Sequence, residues 1–197
     1  FQRRPNWAAP LNNAPISETE MTAIRGRYDE IFATCERTPG GFEHEPDRRH
    51  FYEVSPEDRR RLWDRLYDEP GFGIWLRNFV EIFVDEQANA EFSDYIAGRI
   101  RERVNNPDIA EKLIPKDHGF GIQRVPLETN YFETYNRDNV ELVDSQETPI
   151  VRVTPTGLET TDRSFEFDVI VYSTGFDSFT GAFDRIVSLP LFPAMPD

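Results

Sequence analysis

The apolar residues of this chain change their spacing after Lys116. Before it they recur every three or four residues. After it they alternate, or run together in short β-branched stretches. A helix buries a stripe with period 3.6 and a strand buries one face with period 2, so the pattern imposes a helical block followed by a mainly β block.

Residues 1–16, FQRRPNWAAPLNNAPI, hold three Pro and two adjacent Asn and read as the end of one element followed by a linker. Ser17 and Glu20 stand at capping-box spacing. Met21, Ile24, Tyr28, Ile31, Phe32 and Cys35 follow at helical intervals, which predicts one helix with an apolar face, stopped by Thr38-Pro39-Gly40-Gly41. Residues 42–54 read as irregular. Ser55 caps a second helix with Pro56 at its first position and Leu62, Trp63, Leu66 and Tyr67 on its apolar face. A third helix carries Ile74, Trp75, Phe79, Ile82 and Phe83; a fourth, about residues 86–105, carries Phe92, Ile96, Ile100 and Val104. Asn106-Pro107 opens a short helix that ends before Pro115. Beyond Lys116, NVELVD, PIVRVT, GLETT and FEFDVIVYST predict strands, with turns at residues 155–157 and 162–164. The run DVIVYSTG has the apolar continuity of a strand buried on both faces. The final stretch, RIVSLPLFPAMPD, has three Pro and no period.

Composition narrows the partners. The 197 residues fit one large domain or two small ones, and 38% hydrophobic residues with a mean hydropathy of −0.61 describe a soluble globular chain. The formal charge is −14, from 22 Lys+Arg against 36 Asp+Glu, which repels nucleic acid and anionic membrane surfaces. An anionic ligand binds such a chain only where arginines concentrate. The single cysteine, Cys35, permits no intramolecular disulfide; it reads as a small buried hydrophobe in a reducing, cytoplasmic setting. There is no apolar run of the roughly 18–20 residues a membrane span needs, and no signal-peptide pattern. Starting at Phe1 rather than Met, the sequence reads as a piece of a longer protein, and it sets no oligomeric state.

Several residues could carry chemistry. His44, His50 and His118 are dispersed without metal-ligand spacing and read as surface or turn histidines, so no metal is expected. Neither GxGxxG nor GxxxxGKS occurs. Arg3 and Arg4, beside Pro5, are either a fork for a phosphate or a solvated pair. Arg59-Arg60-Arg61 fan around a helix rich in acids and read as a solvated, salt-bridged face. Arg124 follows Phe120-Gly121-Ile122-Gln123, where a glycine lets the backbone approach a ligand; it is either a catalytic cation or half of a structural ion pair. STGFD, residues 173–177, places small residues at a strand end, as a tight turn or a close cofactor approach requires.

Taken in order, FQRRPNW, LIPKDHGFGIQRVPLETNYFETYNRDNVELVD, PIVRVTPTGLETTD and DVIVYSTGFDSFTGAF resemble the Baeyer–Villiger monooxygenases, flavoenzymes related to the flavin-containing monooxygenases. The resemblance runs to about Phe183. It implies an α/β fold: a fragment of a protein with two dinucleotide-binding domains, in which a mainly helical insertion is followed by a β-rich return into the NADP domain. Residues 1–8 would end an NADP-domain strand, 9–116 form the helical subdomain, 117–172 return to the NADP domain, and 173–197 cross towards the FAD domain. The glycine loops of both nucleotide sites would lie upstream of Phe1.

The implied cofactors are FAD and NADPH, and the implied reactants are O2 and a small-molecule ketone, converted to an ester or lactone. Arg124 would be the catalytic cation, stabilising negative charge that develops as oxygen adds to the carbonyl. Arg3 resembles the arginine that contacts the NADPH 2′-phosphate. Arg4 stands where Thr is usual and Gln123 where Lys is usual, so one phosphate-side cation is lost and another gained. Thr174 and Gly175 would lie near the cofactors, and Ser173 replaces the usual Ala. A heteroatom (N or S) monooxygenase and a non-catalytic helical interaction module are the competing readings.

Overall fold

Four helix starts among the described residues fall where the sequence supplies a capping side chain. Ser17 accepts from the Glu20 amide while Glu20 reaches back to the Ser17 amide, a complete capping box opening α1 (Glu18–Gly26). Ser55 accepts from Asp58 N–H at 3.1 Å and opens α3 (Pro56–Asp68), with Pro56 at its first position. Asp85 opens α6 (Glu86–Arg103) and Asn106 opens α7 (Pro107–Leu113) in the same way. These elements belong to a computed structural model that describes residues 1–38 and 40–175 and divides into two units, Phe1–Glu147 and Thr148 onward.

The core of the first unit forms between α3 and α6. Trp63 is 3% exposed, and its ring centroid lies 5.1 Å from that of Phe92 and 5.3 Å from that of Tyr95. Leu66, Ile96, Ile100 and Leu113 close around them. Each such side chain contributes roughly 1.5–3 kcal/mol by leaving water. The N-terminal stretch is part of this core: Trp7, Ala8 and Ala9 are buried. β1 (Ala9–Pro10) pairs in parallel with β2 (Leu127–Glu128), and Gln2 makes a parallel bridge to Asp144. The first ten residues are therefore tied to the stretch beyond Lys116, across the whole helical block. The second unit contains an antiparallel meander of β3 (Ile150–Thr154), β4 (Gly157–Thr160) and β5 (Ser164–Glu166) in that order.

Five sequence expectations are corrected. The helix read over residues 17–37 is two helices, α1 and α2 (Tyr28–Arg37), broken at Arg27, which leaves helical geometry with φ −109° and ψ 9° directly after Gly26. Its apolar face is not core: neither helix buries a residue, Phe32 is 58% exposed and Cys35 is only half-buried. The third helix is also two pieces, α4 (Gly73–Leu76) and α5 (Glu81–Val84). Asn78 interrupts it. Its Nδ2 donates to Ile74 O at 3.1 Å and its Oδ1 accepts from Trp63 Nε1 and Phe79 N–H, both at 2.9 Å, so its side chain takes over what a continuing helix would bond. NVELVD makes only the Asp144 bridge, and α8 (Tyr131–Thr134) precedes it. Finally, residues 168–175 form no strand, with Val169 75% and Val171 79% exposed, because no described strand lies beside them. The stretch RIVSLPLFPAMPD lies outside the described residues.

Arg59 corrects the reading of the arginine run. It is buried, donates to the Phe51 and Val54 carbonyls at 3.1 and 2.9 Å, and forks onto Glu91 of α6, while its guanidinium lies 4.2 Å from the Phe51 ring centroid. Arg61 does pair with Asp58 on the exposed face, as expected.

Candidate functional site

The loop carrying Gln123 and Arg124 hangs between two buried anchors, Phe120 and Val125. Phe120 N–H donates to Ser93 Oγ at 2.9 Å, and its carbonyl accepts from Asn89 Nδ2 at 2.8 Å, so α6 grips the start of the loop. Gly121 turns the chain with φ +82°, a left-handed conformation open to glycine. A Cβ there would meet Trp75 Nε1 at 3.1 Å, so the glycine serves the fold as well as any ligand. Gly119 was not singled out by sequence, yet it is the tighter point: a Cβ would lie 1.7 Å from Asn89 Oδ1. Gly-Phe-Gly beside a buried Asn is a signal that only the packing makes legible.

Between the anchors, Gln123 and Arg124 are exposed, and Arg124 has no ion-pair partner among the described residues. The structural ion pair that competed with a functional role is thus absent from the described residues. The backbone of Arg124 is nevertheless held. Asn6 Nδ2 donates to its carbonyl at 2.9 Å, and Asn6 Oδ1 lies 3.2 Å from His118 Nε2. His118 Nδ1 lies 2.7 Å from Asp117 Oδ1, and the His118 carbonyl accepts from Trp7 Nε1 at 2.9 Å. The hydrogen bond with His118 holds the Asp117 carboxyl below its ordinary range. His118 is therefore no surface histidine: its side chain is 6% exposed.

Arg3 and Arg4 lie in a bend between the Gln2 bridge and β1, just before Asn6. Both are exposed. Arg3 has no ion-pair partner among the described residues; Arg4 makes a solvated contact of 3.4 Å with Asp117, the kind of pair that contributes little. The structure thus ties the segment of Arg3 and Arg4 to the segment of Gln123 and Arg124. Thr174 and Gly175 belong to the second unit. Both are exposed, and Gly175 has φ +77° with open space where a Cβ would stand, so a backbone turn explains this glycine. Phe176 and Asp177 of the STGFD motif lie outside the described residues.

A second cationic centre lies at the end of α6. Arg103 at the end of α6 donates to Glu128 at 2.6 and 3.1 Å, to Glu133 at 2.5 and 2.8 Å, and to Tyr67 Oη at 2.9 Å. Burial alone would lower the Arg103 pKa; the bonds to Glu133 and Glu128 outweigh it and raise it. This centre is structural, because every donor on the guanidinium points inward to a protein acceptor. Arg3 and Arg124 are the contrast. Both are exposed and have no ion-pair partner among the described residues. Among the described residues no three His, Cys, Asp or Glu converge as metal ligands, and no helix is long and apolar enough to cross a membrane.

No family model matches the chain. It is 49% identical over 186 residues to 2-oxo-Delta(3)-4,5,5-trimethylcyclopentenylacetyl-CoA monooxygenase of Pseudomonas putida, an alignment covering 94% of this chain and 34% of that protein. It is 40% identical to acetone monooxygenase (methyl acetate-forming) of a Gordonia species, again over 94% of this chain and 35% of the relative. Its backbone superposes on a crystal structure of OTEMO in complex with FAD and NADP with a TM-score of 0.89 at 49% identity, covering 94% of this chain and 34% of that one. The α/β architecture is thus that of an internal region of these proteins, and the chain spans about a third of the length of the curated relatives it matches.

Proposed function

We propose that this chain is the middle part of a Baeyer–Villiger monooxygenase, which uses FAD, NADPH and O2 to insert one oxygen atom beside a ketone carbonyl. The observation that carries this reading is the likeness, in sequence and in backbone, to a structure that holds both FAD and NADP. In this reading residues 1–8 end an NADP-domain strand, 9–116 are the helical subdomain, 117–172 return to the NADP domain, and 173–197 lead to the FAD domain. The parallel pairing of Ala9–Pro10 with Leu127–Glu128 supports the return, since it puts the two ends of the insertion side by side. The exposed Val169–Tyr172 stretch then pairs with strands supplied by the rest of the protein.

Each residue has a task. Bound FAD, reduced by NADPH, supplies the oxygen chemistry. Arg124, always charged, faces the negative charge that builds on the carbonyl oxygen. Arg3 receives the 2′-phosphate of NADPH, with Arg4 and Gln123 beside it in place of the family's usual Thr and Lys. Thr174 and Gly175 approach the cofactors. The compartment is cytoplasmic.

The test uses the full-length protein loaded with FAD, given NADPH, a cyclic ketone and a thioether in parallel. Lactone as the main product supports the reading; sulfoxide alone points to the heteroatom class, and no oxidation of either refutes it. Removing one fixed donor to a developing oxyanion costs about 10²–10³ in kcat, so Arg124→Ala should reduce lactone formation by at least that factor. Wild-type yield from that variant would refute the role of Arg124.

A further inference from the structure

We propose that Asn6 is a positioning residue for Arg124, acting as a strut between His118 and the Arg124 carbonyl. The inference rests on the role given to Arg124 above and adds the side chain that holds it in place. Arg124 itself is exposed, and a catalytic cation on an exposed loop works only if its backbone is fixed: a misplacement of about 1 Å costs on the order of a hundredfold in rate. Three groups supply the fixing. Phe120 and Val125 anchor the loop ends by burial, and Asn6 Nδ2 donates to the Arg124 carbonyl between them at 2.9 Å.

That bond settles the orientation of the Asn6 amide. A carbonyl only accepts, so Nδ2 must face Arg124, and Oδ1 is left to face His118 Nε2 at 3.2 Å. His118 is itself clamped, with Nδ1 at 2.7 Å from Asp117 Oδ1 and its carbonyl accepting from Trp7 Nε1 at 2.9 Å. The strut therefore begins on a nearly buried ring and ends on the one carbonyl that carries the candidate catalytic guanidinium. Its location also separates two effects. Arg3 sits three residues before Asn6, but its segment has anchors away from the Arg124 loop: Gln2 N–H donates to Val143 O at 2.9 Å, and the Gln2 carbonyl accepts from Ser145 N–H at 2.9 Å. Losing the strut should move Arg124 while leaving the NADPH phosphate contact in place.

The experiment measures kcat for ester or lactone formation, KM for NADPH and FAD content in the full-length enzyme. It compares Asn6→Ala, Asn6→Asp, His118→Gln and Arg124→Ala. Asn6→Asp has the same shape but cannot donate to the Arg124 carbonyl. His118→Gln keeps an N–H donor near the position of Nε2. Both Asn6 variants should lose about tenfold in kcat, with KM for NADPH within about twofold and FAD content unchanged. His118→Gln should keep most of the activity. Wild-type kcat in Asn6→Asp would overturn the proposal. So would a parallel loss of FAD content in the Asn6 variants and His118→Gln, which marks a purely structural role. Full product yield in Arg124→Ala would instead remove the premise, and is read separately from the strut.

Discussion

Replacing Arg103 by Ala should destabilise the first unit by about 3–5 kcal/mol. The guanidinium makes five hydrogen bonds, to Glu133, Tyr67 and Glu128. These acceptors do not suffer equally from its loss. The Glu133 side chain is 42% exposed and can turn to water. The Glu128 side chain is 6% exposed, and without Arg103 it keeps only the Tyr131 N–H, at 3.0 Å. A buried carboxylate stripped of its cation is the largest single cost, and the Phe132 ring, 5.0 Å from the guanidinium, also loses its cation contact. Urea unfolding of the purified protein, followed by the fluorescence of buried Trp7 and Trp63, reads the change as a lower midpoint. The double variant Arg103→Ala/Glu128→Gln removes the stranded charge as well. It should recover at least about 1 kcal/mol of the loss, a coupling expected of residues in direct contact. If Arg103→Ala unfolds within about 0.5 kcal/mol of wild type, the region tolerates the naked carboxylate. The reasoning from burial would then be wrong.

Two further changes probe other parts of the frame. Gly119→Ala places a Cβ 1.7 Å from Asn89 Oδ1, and Asn89 cannot swing away without abandoning the Ile82 and Phe120 carbonyls, which it holds at 2.7 and 2.8 Å. A loss of about 1–3 kcal/mol in the same urea assay is expected, and an unchanged midpoint would contradict the packing. Glu111 bonds Arg101 and Lys116, which lower its pKa from 4.5 to about 2. A depressed folded pKa gives stability that is present above the unfolded value and lost as pH falls through the folded one. The melting-temperature difference between wild type and Glu111→Gln should therefore shrink between about pH 4.5 and pH 2, and it should be small throughout because the pair is half-exposed. A difference that grows on acidification would contradict the sign.

Local chemistry made much of the fold legible. Ser17 with Glu20, Ser55 with Pro56, and Asn106 with Pro107 each mark a helix start by a bond within three residues, so neighbouring letters suffice. What failed depends on distant partners. The stripe from Met21 to Cys35 has helical spacing, but spacing cannot say whether another element covers it. Asn78 looks like a polar interruption in an apolar run; only the arrival of Trp63, fifteen residues earlier, explains it as a buried hub. The Val169–Tyr172 stretch has the letters of a central strand, and a central strand exists only where neighbours pair with it. At the candidate site, Arg3 and Arg124 were visible as residues. The Asp117–His118–Asn6 chain that joins their segments was not, because it links positions more than a hundred apart.

The most direct measurement is a crystal structure of the full-length protein with FAD and NADP bound. The expected result is an Arg124 guanidinium that faces the flavin and nicotinamide at the seam between the two nucleotide domains, with Arg3 on the 2′-phosphate. An Arg124 side chain pointing into bulk solvent, away from both cofactors, would contradict it.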